Sequence, residues 1–194
     1  MVLPKGAWDP EPVVQRDASL GLLVVEGKLL KSTSLGIVTC AELLGQGDLL
    51  RPDDEAGEVA TVPFTTRWEV VEKASLAILD RDFAVRIAPW PEIVGSLLAR
   101  TALRSHHQAL HFTSTRVRRL DERLYVLLWH MADRWGYVTP DGVRLPLDLT
   151  HEQLARLVGA ARPSVTAKVA VLHETGVAIR CSNGPGWLLR GPPL

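Results

Sequence analysis

The stretch LTHEQLARLVGAARPSVTAKVAVLHETGVAIRCSNGPGWLL, from Leu149 to Leu189, leaves few ways to fold. Thr150 followed three residues later by Gln153 is a capping box, so a helix starts at His151 and turns Leu154, Leu157 and Val158 toward a core. Gly159 permits the positive-φ turn that ends it. A second helix begins near Arg162, tolerates Pro163 in its first turn and buries Val165, Val169 and Leu172. Gly176 closes that helix, after which VAIRC, the turn SNGPG and WLLR read as a β-hairpin. The solvent face of the second helix carries Arg162, Ser164, Thr166, Ala167 and Lys168, donors and small groups with no acid before Glu174.

Two short helices joined by a glycine turn can lay the second in the major groove of DNA while the first braces across the backbone. A plain helical hairpin at the end of a globular domain is the rival reading, and the order of capping box, turn glycine, basic helix and hairpin argues against it. Charge agrees with the first reading. Residues 1–115 hold 11 Lys/Arg against 15 Asp/Glu, a net of −4, while residues 116–194 hold 11 against 7, a net of +4. The basic part is the one suited to meeting phosphate. With 46% hydrophobic and 23% charged residues in 194, the composition is that of a soluble globular protein of one large or two small domains. No run of about 18 apolar residues exists and Met1 opens no signal-like region, so neither a membrane partner nor export is expected and the cytoplasm is the expected location. Cys40 and Cys181 are too far apart to suggest a disulfide framework or a cysteine-built metal site.

The first ninety residues read as short β elements between turns. LGLLVVEGKLL (Leu20 to Leu30) is an apolar run broken at Glu26-Gly27, LGIVTCAELL follows, and GQGD (Gly45 to Asp48) is a turn. RPDDEAGE (Arg51 to Glu58) reads as a loop, and EVVEKASLAILD returns to strand-like content, which together suggest a sandwich or roll. At PWPE the texture changes: Pro91 fits a first helical position and Glu92 a first turn, so a helix runs from there to about Val117. Gly95, Leu98, Ala102, Ser105, Ala109 and Phe112 fall on one side of it, a seam of mostly small residues that lets another helix approach closely. The seam equally suits packing on the chain's own β domain. A further amphipathic helix spans Leu120 to Trp135, ended by Gly136, and VTPDGVRLPLDL holds an Asp141-Gly142 turn.

The segment from Thr150 resembles the winged helix-turn-helix of the Crp/Fnr superfamily, whose signature runs approximately T-x-x-x-[IL]-A-x-x-[IV]-G-x-S-R-x-[TS]-V. Thr150, Leu154, Ala155, Val158, Gly159, Arg162, Ser164 and Val165 match it; Ala161 stands where a capping serine is usual. PEIVGSLLARTALRSHHQALHF is similar to the family's dimerisation helix, and LLVVEGKLL with GQGD to two pieces of its β-roll. The resemblance implies a Gly-Glu pair, then an Arg-Ser/Thr pair, as ligands of a cyclic nucleotide. Here those positions hold Arg51-Pro52 and Phe64-Thr65, and the dimer-helix pair that touches the base is Gln108-Ala109, so cyclic AMP is not expected to bind, although Arg51 and Arg67 remain as cations for another anion. The usual N-terminal helix is expected to be missing.

The expected fold is therefore α+β: a β-roll of the cyclic-nucleotide-binding kind over 1–88, a dimerisation helix over 89–118 and a winged helix-turn-helix over 119–194. The residues expected to meet double-stranded DNA are Thr150, Arg162, Ser164, Thr166, Ala167 and Lys168. Those expected at a homodimer interface are Leu98, Ala102, Ser105, Ala109 and Phe112. The resemblance implies a transcription regulator on an inverted-repeat operator, with RNA polymerase as a further partner. The sequence specifies no cofactor and no metal ligand set. The rival from another class is a haem- or metal-dependent gas or redox sensor using His106, His107 and His111, the last two spaced i and i+4. No catalytic arrangement of Ser, His and Asp, phosphate-cradling glycine loop or zinc-peptidase motif is present, so an enzyme is not expected.

Overall fold

The computed structural model describes residues 1–14, 20–52, 62–181 and 184–191. The chain divides into two units, residues 1–108 and 109–194. The fold is α+β, with an antiparallel sheet first, a long helix, and a helix-turn-helix at the C-terminus.

Two long antiparallel strands dominate the first unit, β3 (Gly21–Leu35) and β6 (Thr65–Leu79). They sit centrally in the order β1 (Val2–Leu3), β6, β3, β4 (Val38–Gly45), with β2 (Gly6–Trp8) also on β6 and β5 (Leu49–Leu50) also on β3. The expected break at Glu26-Gly27 is instead a set of register shifts inside one continuous strand. Gly27 has φ +87, and a Cβ there would collide with the Lys73 carbonyl and Ala74. The strand therefore bends without ending, because glycine admits both the left-handed conformation and the close approach of β6. Leu22, Val24, Leu29, Leu44, Val70 and Leu76 fill the core, and Trp8 meets Trp68 edge-on at 5.6 Å. GQGD is a turn, closed by the Gly45 N–H donating to Asp48 Oδ2 at 2.7 Å. The expected acidic loop lies, from residue 53 onward, outside the described residues.

Two short helices depart from the sequence reading. One turn, α1, forms at Glu11–Val14, and α2 occupies Arg81–Ile87, in a stretch read as part of the β domain. Asp80 caps α2 by accepting from the Phe83 N–H at 2.8 Å. A seven-residue helix is too short for periodicity to declare it.

The long helix α3 (Pro91–Thr115) opens at Pro91 as expected. Within the first unit it is fixed by Arg104, which donates from Nε and Nη2 to the two carboxylate oxygens of Glu42 at 3.0 and 2.9 Å, and from Nη1 to the Leu49 carbonyl at 3.2 Å. Gln108 Nε2 donates to the same carboxylate at 2.8 Å. Burial pushes the Glu42 carboxyl up, but the Arg104 hydrogen bonds and charge, with Gln108 and Lys31, outweigh it and hold the group below its ordinary 4.5.

The second unit contains α4 (Leu120–Trp135), the hairpin β7 (Tyr137–Thr139) and β8 (Gly142–Leu145), then α5 (His151–Val158), α6 (Arg162–Glu174), β9 (Ala178–Arg180) and β10 (Trp187–Leu189). The β7–β8 pairing sets Thr139 opposite Gly142, so Pro140 and Asp141 form the turn, one residue earlier than expected. The C-terminal hairpin is part of a four-stranded sheet in the order β7-β8-β10-β9, with Trp187 opposite Leu145 on one side and Arg180 on the other. Leu124, Leu128, Leu145, Leu154, Val165 and Trp187 are essentially inaccessible in its core.

Removing the Glu42 carboxylate leaves a half-buried guanidinium without its bidentate partner. Glu42→Gln is expected to lower the stability of the full chain by about 2–3 kcal/mol at pH 7, read by urea denaturation. Because the folded value is depressed, this contribution is present above pH 4.5 and is lost as pH falls through the folded value. The difference between variant and parent should therefore shrink as pH falls from 4.5 through the folded value.

Candidate nucleic-acid interface

Local rules build the frame of the site. Thr150 Oγ1 accepts from the Gln153 N–H at 3.2 Å and Gln153 Oε1 accepts from the Thr150 N–H at 2.8 Å, which completes the capping box of α5. Gln153, Leu154, Ala155, Leu157 and Val158 are buried. Gly159 takes the left-handed conformation at φ 63, ψ 48, where only glycine is unstrained, and its N–H donates to the Ala155 carbonyl. Arg123 secures the C-terminal end of α5, donating from Nη1 to the Val158 carbonyl at 3.0 Å and from Nη2 to the Val117 carbonyl at 2.8 Å. On α6, Val165, Val169 and Leu172 are buried as expected, and Ala161 precedes the helix with no side-chain cap.

That burial turns the opposite side of α6 outward. Arg162, Ser164, Thr166 and Ala167 are exposed, as is Thr150 at the start of α5. Lys168 departs from this pattern by being half-buried, and its charge acts on Asp121 in the first turn of α4. Asp121 pairs with Arg119 at 2.8 Å; burial opposes its ionisation, and the Arg119 hydrogen bond and the nearby charges outweigh that and hold its carboxyl below the ordinary range.

Two further residues enter the site that sequence reasoning did not name. His151, the first residue of α5, sets Nδ1 2.9 Å from Thr166 Oγ1 on α6. Arg180, on β9, lays its guanidinium over the Trp187 ring at 4.1 Å, pairs with Asp148 at 3.0 Å and donates to the Leu149 carbonyl at 2.6 Å, so the hairpin is tied to the residues that open α5. Burial, then the charges of Arg180 and Arg162, push the His151 imidazole below its ordinary 6.5. No local pattern signals either contact, since the partners are 15 and 31–32 residues apart. The outcome is a surface of guanidinium, imidazole, ammonium and hydroxyl groups, chemically matched to phosphate oxygens and base edges.

The other expected residues lie elsewhere. Leu98, Ala102, Ser105, Ala109 and Phe112 are all exposed along α3. Gln108 is engaged by Glu42, and Phe64 and Thr65 are exposed at the start of β6. His111 is buried, with Nε2 3.0 Å from the Leu157 carbonyl and its ring 6.3 Å from that of His130. Among the described residues no group of three or more His, Cys, Asp or Glu could hold a metal ion, and no helix is long and apolar enough to cross a membrane.

Comparison with known proteins bears on the same segment. The Crp-like helix-turn-helix domain matches residues 122–187. The CRP-like cAMP-activated global transcriptional regulator of Mycobacterium tuberculosis is 31% identical over 136 residues, which cover 66% of this chain and 59% of that protein. The match thus spans under two thirds of the length of this relative. A CRP-family transcriptional regulator from Thermus thermophilus is similar in fold, with 16% identity, 97% of this chain and 91% of that one covered, and a TM-score of 0.66. A cyclic nucleotide-binding domain containing protein from Listeria monocytogenes is likewise similar, with 20% identity, 86% and 78% covered, and a TM-score of 0.67. Its capped α5, left-handed Gly159 and basic α6 lie inside the matched segment, so the chain carries a Crp-like helix-turn-helix domain.

Proposed function

We propose that the chain is a cytoplasmic, homodimeric transcription regulator that binds an inverted-repeat operator without control by cyclic AMP. The observation that carries this reading is the outward face of α6, where Arg162, Ser164, Thr166 and Ala167 are exposed together while Val165, Val169 and Leu172 hold the helix down. In this reading residues 1–88 form a sensor-like β-roll, 89–118 the dimerisation helix and 119–194 the DNA-binding domain. The exposed seam of α3, with Leu98 66% and Phe112 58% accessible, supports a second copy as its cover. The reading that makes haem or metal sensing the main activity is not favoured: His111 is held by a backbone carbonyl in the core of its unit.

The Mycobacterium tuberculosis relative is named for activation by cAMP. This chain differs at the groups that would hold the nucleotide: Arg51-Pro52, Phe64-Thr65 and Gln108-Ala109 stand there, and Gln108 is engaged by Glu42. Without an arginine at the phosphate position the ligand lacks a charge-assisted bidentate partner. Titration calorimetry with cyclic AMP is expected to give no heat of binding at micromolar protein, and its addition is expected to leave DNA affinity unchanged.

Ala102→Glu places an unpaired carboxylate in the seam. It is expected to weaken dimerisation by at least about a hundredfold, roughly 3 kcal/mol, so sedimentation velocity should change from dimer to monomer. A variant as dimeric as its parent would refute the seam.

Two copies of α6 are expected in successive major grooves, with half-site centres about 34 Å apart. Arg162, in the first turn of α6, is expected to read O6 and N7 of a guanine. Pro163 occupies the position at which several relatives carry an acidic reader of cytosine, so the operator need not copy theirs. With an operator selected from a random library, Arg162→Ala is expected to cost roughly 1–3 kcal/mol and relax the preference at one base pair. Lys168→Ala is expected to weaken all duplexes alike and lower the salt slope by about one. Equal loss on specific and random DNA for Arg162→Ala would rule out base reading.

A further inference from the structure

The contact between α5 and α6 contains a histidine crowded by cations. His151 Nδ1 lies 2.9 Å from Thr166 Oγ1, and that hydroxyl also lies 3.1 Å from the Arg162 carbonyl, to which it donates. With the threonine proton committed there, the oxygen accepts from Nδ1–H, and the lone pair of the neutral ring resides on Nε2. The charged groups acting on the ring are Arg162 from α6 and Arg180 from β9. Arg180 is itself paired with Asp148 in the segment before α5, and Glu152, the next residue of α5, is exposed.

In the free protein these surroundings disfavour the imidazolium. Partial burial, then repulsion from Arg180 and Arg162, lower the imidazole from 6.5, so the ring is neutral at pH 7. A backbone phosphate on this surface reverses the balance: it offsets the two guanidinium charges and accepts a hydrogen bond from Nε2–H, which only the protonated ring can donate while Nδ1–H serves Thr166.

We propose that His151 is a proton-coupled phosphate ligand: duplex DNA across the α5–α6 surface seats a backbone phosphate against His151, beside Arg162 and Arg180, and each subunit takes up one proton from solvent at Nε2 on binding. This rests on the reading of the chain as a DNA-binding protein and adds to it a residue and a dependence on pH. Because the contact is to phosphate, it operates on any duplex sequence.

Fluorescence anisotropy with a labelled mixed-sequence 30-base-pair duplex, at constant salt, tests this at pH 8 and pH 6. If phosphate contact raises the imidazole by one unit, the full-length protein binds several-fold, and at most about tenfold, tighter per subunit at the lower pH. The salt slope there is steeper by about one per subunit. His151→Gln is expected to lose this pH dependence, and His151→Lys to bind tightly and equally at both values. Calorimetry of the unsubstituted protein at pH 7, in two buffers of different ionisation enthalpy, is expected to register proton uptake without recourse to any variant. Equal affinity of the parent at both pH values, equal pH dependence in parent and His151→Gln, or no proton uptake overturns the inference and leaves DNA binding standing. Failure of all three proteins to bind the duplex at either pH overturns the DNA-binding reading itself, and this inference with it.

Discussion

Burial of Val165, Val169 and Leu172 decides which side of α6 faces outward, and the chemistry of the C-terminal unit depends on that orientation. Each fully buried aliphatic side chain is worth about 1.5–3 kcal/mol, so three on one stripe outweigh any single polar contact on the exposed side. The surface pair of Arg119 and Asp121, by comparison, contributes about 0–1 kcal/mol. Turning α6 by one residue, about 100°, would expose Val165, Val169 and Leu172 and turn Thr166, Ala170 and His173 inward instead. The outward face of α6 is thus a consequence of hydrophobic registration.

Rigidity around that face comes from polar contacts that close on backbone groups. The capping box settles the start of α5, Gly159 its exit, and Arg123 the carbonyl of Val158 at its end. Arg180 then links the hairpin to Asp148 and Leu149 while covering Trp187, so the strand is tied to the entry to α5 and to the core. Preorganisation of this kind reduces the ordering cost of binding, which matters more for affinity than an extra surface charge. In the first unit the corresponding role falls to Glu42, whose two oxygens gather Arg104 and Gln108 and fix α3 to the sheet edge.

The sequence alone carried the helix-turn-helix almost residue by residue. Thr150 with Gln153, Gly159, and the buried triplet of α6 are local or periodic signals, and local sterics and hydrogen bonding decide them within a few residues of chain. The same reasoning located α4 and the opening of α3 at Pro91, and matched Arg162 and Ser164 to an outward face. It misread Gly27 as an end of strand, because a glycine that terminates and a glycine that bends look alike until the partner strand is known. It also passed over α2, whose seven residues are too few for a period.

Tertiary structure alone decided what depends on separation in sequence. The pairing of β8 with β10 turns two hairpins into one four-stranded sheet, and nothing in either hairpin specifies the other. Half-burial of Lys168 follows from the packing of α4 beside α6, which the pattern on α6 cannot reveal. His151 and Thr166 meet across the glycine turn, and Arg180 reaches Asp148 and Leu149 from a strand more than thirty residues later. Sequence periodicity records which side of an element prefers oil to water. It carries no information about which charged side chain from another element will arrive beside it, and at His151 that arrival adds to burial in disfavouring the imidazolium.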